Sequence, residues 1–174
     1  MARIAILTVS DRAARGEYED RGGPACEDWL RKVVTSPIEI ERWITPDGRV
    51  EVAAQMRDMA DKWGADLILA TGGTGPAPRD QTPEAMADVI SMELPGFGEA
   101  MRAANSRVVA TAILSRQSAG VRGKTLIITL PGSPNAIATS LEAVFAAVPY
   151  CLDLIGAARI ETDPALIKAH RPKA

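Results

Sequence analysis

Leu67-Ile68-Leu69-Ala70-Thr71-Gly72-Gly73-Thr74-Gly75-Pro76-Ala77-Pro78-Arg79-Asp80-Gln81-Thr82-Pro83-Glu84-Ala85 is the stretch that decides how this chain folds. Its first four residues form a short apolar run after Trp63-Gly64-Ala65-Asp66, the pattern of a buried parallel strand that follows a helix stop. Gly72, Gly73 and Gly75 then remove the side chains that would keep a ligand off the backbone, so several N–H groups can converge on an anion. Thr82 reads as a helix N-cap, with Pro83 at the first helical position and Glu84 in the first turn. That assignment leaves Asp80 without a capping task beside a phosphate loop, where a carboxylate can hold a divalent cation against a nucleotide. On the glycines alone an ordinary turn is the competing reading. No Gly-Lys-Ser/Thr follows, as in a Walker A loop, and the G-x-G-x-x-G spacing of a dinucleotide fingerprint is absent. The glycines, Arg79, Asp80 and the Thr-Pro-Glu helix start occurring together favour phosphate.

Working outward, strands are expected at Arg3 to Val9, Ile38 to Ile44, Leu67 to Ala70 and Thr125 to Leu130, with a further one at Val108 to Leu114. Helices are expected near Gly23 to Val34, Val50 to Trp63, Pro83 to Met92 and Ala136 to Ile155. This alternation implies an α/β fold with an open, mostly parallel sheet covered by helices on both faces, a Rossmann-like three-layer arrangement. In such sheets the loops at the carboxyl ends of the strands carry the ligand, so Ser10-Asp11, Thr71 to Asp80 and Pro131 to Pro134 should converge. With no repeat or linker visible, 1–174 is expected to be one domain with a loose tail over roughly 165–174.

Composition narrows the classes. The chain has 174 residues, 47% of them hydrophobic, enough for a substantial core. A net charge of −2, with Lys and Arg occurring singly, argues against a nucleic-acid surface. The most hydrophobic stretch, Leu141 to Ala158, is interrupted by Glu142, Pro149 and Asp153 and reads as a buried, kinked helix, so no membrane span is expected. Cys26 and Cys151 make neither a zinc motif nor a disulfide framework. With no leader ahead of the first strand, a cytoplasmic location is expected. Ser115 has no histidine partner nearby, because His170 in the tail is the only one, which argues against a Ser-His-Asp triad.

Taken together, Ser10-Asp11-Arg12, Pro46-Asp47-Gly48, the Thr71 to Ala85 run, Leu94 to Arg102, Ala112 to Arg116, Leu130-Pro131-Gly132-Ser133-Pro134 and Arg171-Pro172-Lys173 resemble the molybdopterin-binding domain family of molybdenum-cofactor biosynthesis. The continuation Thr74-Gly75-Pro76 with Arg79-Asp80 and Thr82-Pro83-Glu84 resembles its adenylyltransferase branch, which includes MogA-type enzymes. By itself Asp47, in Thr45-Pro46-Asp47-Gly48-Arg49, is a turn residue placed to cap the helix near Val50. The resemblance implies instead that Asp47 and Asp80 are catalytic and associated with Mg2+. It also implies ligand contacts for Ser10, Asp11, Thr71, Gly72, Gly73, Thr74, Gly75, Ser115, Arg116, Pro131, Gly132 and Ser133. The implied reaction transfers AMP from ATP to the terminal phosphate of molybdopterin and releases pyrophosphate. A homotrimer, and passage of product to a molybdenum insertion protein, are implied too. Two rivals stay open: a non-catalytic molybdopterin carrier, and a nucleotide pyrophosphohydrolase on the same domain. Some family members carry an extra segment between the positions of Asn135 and Pro149, where this chain is short.

Overall fold

In the computed structural model, which describes residues 1–172, six strands form one sheet: β1 (Ala2–Val9), β2 (Ile38–Thr45), β3 (Leu67–Thr71), β4 (Met92–Glu93), β5 (Ala119–Arg122) and β6 (Thr125–Leu130), in the order β2-β1-β3-β6-β5-β4. β2, β1, β3 and β6 are parallel, whereas β5 runs antiparallel to both β6 and β4. The helices are α1 (Asp11–Ala14), α2 (Gly22–Val33), α3 (Arg49–Arg57, continued by a π-turn at Asp58–Trp63), α4 (Thr82–Ala87), α5 (Pro95–Ser106), α6 (Pro134–Val144) and α7 (Val148–Ile155). The mostly parallel, helix-covered sheet expected from the sequence is therefore present.

Alternation along the strands builds two cores. Ile4 and Ile6 of β1, Leu67 and Leu69 of β3, and Leu126 and Ile128 of β6 pack with α2, α5, α6 and α7 on one face. Ala5, Leu7, Ile68, Ala70 and Ile127 pack with α3 and α4 on the other. The register brings the four parallel strands to a common level, pairing Val9 with Thr45, Thr8 with Thr71 and Thr71 with Leu130. The chain leaves β1 for β2 on one side and leaves β3 for β6 on the other, so the crevice between the ends of β1 and β3 is the topological switch point.

Several expectations are corrected. Val108 to Leu114 is not a strand: Ala110–Leu114 is a 3-10 turn with no buried residue, and Val108 and Ile113 are 74% and 71% exposed. The run has strand-forming side chains but no neighbour to pair with. Helix α5 and strands β4 and β5 were not anticipated. The helix expected over Pro83 to Met92 ends at Ala87, and β4 takes Met92. Ala136 to Ile155 is two helices around a 3-10 turn at Phe145–Ala147, with Pro149 in the first turn of α7. The 22-residue stretch Pro134–Ile155 is apolar enough by length and composition to span a membrane. Here Ile137, Leu141, Phe145, Val148 and Leu152 are buried in the core beneath the sheet. The stretch read as a loose tail is fastened as far as it is described. His170 N–H bonds the Ala146 carbonyl, and Arg171 reaches Asp153, Glu161 and the Ile160 carbonyl. Lys173 and Ala174 lie outside the described residues.

Candidate active site

The loops after β1, β2, β3 and β6 are tied to one another by backbone hydrogen bonds. Ser10 N–H bonds the Thr45 carbonyl at 3.0 Å, Gly72 N–H the Leu130 carbonyl at 3.1 Å, and Thr82 N–H the Gly73 carbonyl at 3.1 Å. Gly72 (φ +98°) and Gly73 (φ +64°) lie in the region that favours glycine. A Cβ on Gly72 would come within 2.3 Å of the Val9 carbonyl oxygen, so the β3 loop can cross the end of β1 only without a side chain there.

Asp47 and Asp80 both lean on this glycine loop. Asp47 Oδ2 accepts the Asp11 N–H at 2.8 Å, while its Oδ1 faces Gly73, 3.2 Å from where a Cβ would be. Asp80 Oδ2 accepts the Ala77 N–H at 3.2 Å and stands 2.7 Å from the Cβ position of Gly75. Asp80 thus does have a local turn to close, contrary to the sequence reading, and one carboxylate oxygen remains. Asp47 is not a helix cap: Gly48 precedes α3, and the Asp47 carboxylate holds the β1 loop instead. Thr82 is not an N-cap either. It lies inside α4 behind Gln81, and its hydroxyl donates to the Gly72 carbonyl at 2.9 Å, pinning the loop from below.

Asp11 and Asp47 are interlocked. Asp11 Oδ1 accepts the Asp47 N–H at 3.1 Å, the reciprocal of the bond above. Arg79 closes the group, donating to both Asp11 oxygens at 2.9 and 2.7 Å and to the Asp47 carbonyl at 2.7 Å. The Arg79 guanidinium thereby holds the Asp11 carboxyl below its ordinary value, against a smaller opposing effect of desolvation. Asp11 and Arg79 are committed to each other, so Asp11 frames the site.

On the far side Arg116 grips the loop. It donates to the Gly75 carbonyl at 3.1 and 3.0 Å and to the Asp80 carbonyl at 2.5 Å, and pairs with Glu84, whose carboxyl it holds below the usual range. Arg116 N–H bonds the Thr74 carbonyl at 2.8 Å, and the hydroxyls of Ser115 and Thr74 lie 3.2 Å apart. Arg116 and Ser115 therefore hold Thr74 and Gly75 in place from behind. Thr71 is the last residue of β3 and donates to the Pro131 carbonyl at 2.7 Å, joining the glycine loop to the Pro131-Gly132-Ser133 loop. Ser10 Oγ accepts the Ala13 N–H and Ser133 Oγ accepts the Ala136 N–H, so each hydroxyl proton is left to donate to a ligand.

A cavity of about 390 Å³ opens at the switch point, and Ser10, Thr71, Gly72, Gly132 and Ser133 line it. Four lining residues were given no ligand role from sequence: Arg12 appeared only within Ser10-Asp11-Arg12, and Tyr18, Asp20 and Arg21 were not singled out. Asp20 accepts the Gly23 N–H at 3.0 Å and the Thr8 hydroxyl at 3.0 Å, setting the start of α2. The Asp-x-x-Gly spacing ahead of an apolar helix was its available signal. A second hollow, of about 400 Å³, lies outside the loop against Pro76, Pro78, Asp80, Glu84 and Arg116.

Among the described residues no group of three or more His, Cys, Asp or Glu side chains is placed to hold a metal ion. Two carboxylates, each with an oxygen to spare, suit magnesium, which takes one or two protein carboxylates and completes its shell with water and substrate phosphates. The donor set fits that ion.

Comparison with known proteins shows the family. Residues 5–150 match the family described as a probable molybdopterin binding domain. A molybdopterin adenylyltransferase of Helicobacter pylori is 48% identical over 170 residues, covering 98% of this chain and 97% of that one. That of Escherichia coli is 43% identical over 183 residues, covering 98% and 94%. The solved structure of the molybdopterin biosynthesis enzyme MoaB of Thermus thermophilus is 45% identical with a TM-score of 0.81, covering 89% of this chain and 96% of that one. With its glycine loop and paired aspartates set at the carboxyl edge of this sheet, the chain belongs to the molybdopterin-binding domain family of molybdenum-cofactor biosynthesis.

Proposed function

We propose that this chain is a molybdopterin adenylyltransferase that transfers AMP from ATP to the terminal phosphate of molybdopterin and releases pyrophosphate. The observation that carries the proposal is the convergence of Asp47 on Gly73 and of Asp80 on Gly75, two carboxylates on a glycine loop at the switch point of the sheet. The near full-length relatives named molybdopterin adenylyltransferase support the same reaction.

The attacking phosphate oxygen is already ionised at neutral pH, so no general base is required. A new P–O bond forms to the α-phosphorus, the bond to the bridging oxygen breaks, and its electron pair leaves with pyrophosphate. The obstacle is bringing anions together, which makes positioning and neutralisation the protein's task. The N–H groups of Gly73, Thr74 and Gly75 bind phosphate oxygens, Gly72, whose own N–H is held by the Leu130 carbonyl, lets the loop cross the end of β1, and Ser10 and Ser133 donate hydroxyl protons into the cavity. Asp11, Arg79, Ser115 and Arg116 hold these donors still, and Thr71, Pro131 and Gly132 set the spacing between the β3 and β6 loops. Asp47 and Asp80 would hold Mg2+, which when bound supplies positive charge to offset that of the phosphates.

The same proposal takes 1–174 as one molybdopterin-binding domain working in the cytoplasm, a location supported by two unpaired cysteines, of which the buried Cys26 thiol is pushed up to about 12. It takes the assembly as a homotrimer, for which the exposed Val108, Val109, Ile113 and Leu114 offer apolar surface, and a molybdenum insertion protein as recipient of the product. Incubation with molybdopterin, ATP and magnesium should yield an adenylylated pterin, detected by mass. Binding without turnover would mark a carrier, and nucleotide turnover without molybdopterin a pyrophosphohydrolase.

A further inference from the structure

Arg12, Tyr18 and Arg21 line the mouth of the cavity at the switch point and have no part in the contacts described above. The Arg12 guanidinium lies 4.8 Å from the centre of the Tyr18 ring and that of Arg21 lies 5.9 Å from it, both within cation–π reach. All three side chains are exposed, Tyr18 to 42%. Among the described residues neither guanidinium is within ion-pair distance of a carboxylate, although thirteen other such contacts are made, including those of Arg15 and Arg79 a few residues or one loop away. Asp20 is the one carboxylate lining the cavity, and both of its oxygens are occupied by Thr8 and Gly23.

Two unpaired guanidinium groups braced against one ring, lining a cavity that glycine backbone and serine hydroxyls also line, form a site for an anion larger than a single phosphate. Guanidinium binds phosphate oxygens through paired N–H donors, and the ring fixes both groups without neutralising them. Resting on the adenylyl-transfer reading, we infer that Arg12 and Arg21, positioned by Tyr18, grip the β- and γ-phosphates of the nucleotide, the part that departs as pyrophosphate. When the bond between the α-phosphorus and the bridging oxygen breaks, the electron pair moves onto that oxygen and negative charge gathers on the diphosphate. Cations at the mouth meet that charge, and their exposure gives the product a path to water. Asp47 and Asp80 flank the glycine loop with negative charge, so they do not supply this grip themselves.

The test is a calorimetric series of inorganic pyrophosphate, adenosine, AMP, ATP and molybdopterin against the wild-type chain and the double variant Arg12→Ala/Arg21→Ala. We expect the double variant to lose roughly tenfold or more in affinity for pyrophosphate and ATP, with adenosine and AMP changed by less than about threefold. Tyr18→Phe keeps the ring and should bind pyrophosphate as the wild type does, while Tyr18→Leu should lose part of that affinity. Unchanged pyrophosphate binding in the double variant overturns the inference. An equal loss for adenosine and ATP overturns it too and assigns the arginines to the base, and a loss confined to molybdopterin assigns them to the pterin phosphate. The two readings fail separately. Wild-type protein that makes no adenylylated pterin but binds pyrophosphate through these arginines sinks the enzyme and keeps the grip, whereas turnover with arginine-independent pyrophosphate binding does the reverse.

Discussion

Asp80 uses one carboxylate oxygen on the Ala77 N–H and keeps the other, and this division sets what a substitution will do. Asp80→Asn preserves an acceptor for Ala77, and with it the turn, but removes the charge that would hold magnesium in the proposed reaction. Adenylyl transfer should fall by roughly 10² to 10³, about 3 to 4 kcal/mol in the barrier, while molybdopterin binding persists. Asp47→Asn should behave alike, and on the proposed shared magnesium the double variant should be little worse than either, because two ligands of one ion would act as a unit. Near wild-type turnover in Asp80→Asn at saturating ATP and magnesium would falsify the catalytic assignment. Gly73→Val attacks the same site through the backbone. Its Cβ would stand 2.4 Å from Thr82 Oγ1 and 3.2 Å from Asp47 Oδ1, at a φ that costs a branched residue roughly 1 to 2 kcal/mol. Affinity for ATP should drop in calorimetry and the thermal midpoint should fall with it. An unchanged affinity would remove the loop from phosphate binding.

At the scale of elements, the lock between the β1 and β2 loops depends on the charge of Asp11. Its folded value is depressed, mainly by the hydrogen bonds from Arg79, below the ordinary 3.8. A depressed carboxyl stabilises the fold above its unfolded value and loses that contribution as pH falls through the folded one. The thermal midpoint of the wild type should therefore exceed that of Asp11→Asn by a constant margin near neutrality. The margin should shrink as the pH is taken below 3.8, and a margin that widened on acidification would contradict the pairing. Sequence showed β1, β3 and β6 because each is a bounded, largely apolar run and β2 because apolar and charged residues alternate at its start, and it showed the glycine loop because Arg79, Asp80 and the Thr-Pro-Glu helix start accompany Gly-Gly-Thr-Gly. It hid α5 behind Gly96 and Gly98, poor helix formers. Gly98 is there because a Cβ would come within 2.4 Å of the Gln117 carbonyl oxygen. β5 went unseen because four residues carry little periodicity, although the Arg122-Gly123-Lys124 turn into β6 was a hairpin signal. The roles of Arg79 and Arg116 were out of reach, since 68 residues separate Arg79 from Asp11 and 41 separate Arg116 from Gly75.

For the molecule as a whole, the larger core turns on Phe145, fully buried in the 3-10 turn between α6 and α7 and edge-on to Trp29 of α2 at 4.8 Å. Phe145→Ala removes that contact and leaves a void where three helices meet. Unfolding in urea should show a loss of about 3 to 5 kcal/mol, with the turnover of the folded fraction at low temperature little altered, because the ring lies away from the carboxyl edge. A loss below about 1 kcal/mol would mean that the helices close over the gap. The order of the strands has a further consequence, for a chain that emerges from the ribosome amino-terminus first. β6 sits beside β3 in the sheet yet is synthesised after α5, β4 and β5. Until residue 130 has emerged, the edge of β3 faces water with its hydrogen-bonding groups unpaired, and Gly72 and Thr71 lack their partners in Leu130 and Pro131. The nascent protein thus passes through a stage in which β3 is an open template, and the loops at the carboxyl edge of the sheet take their final arrangement only as that template is covered.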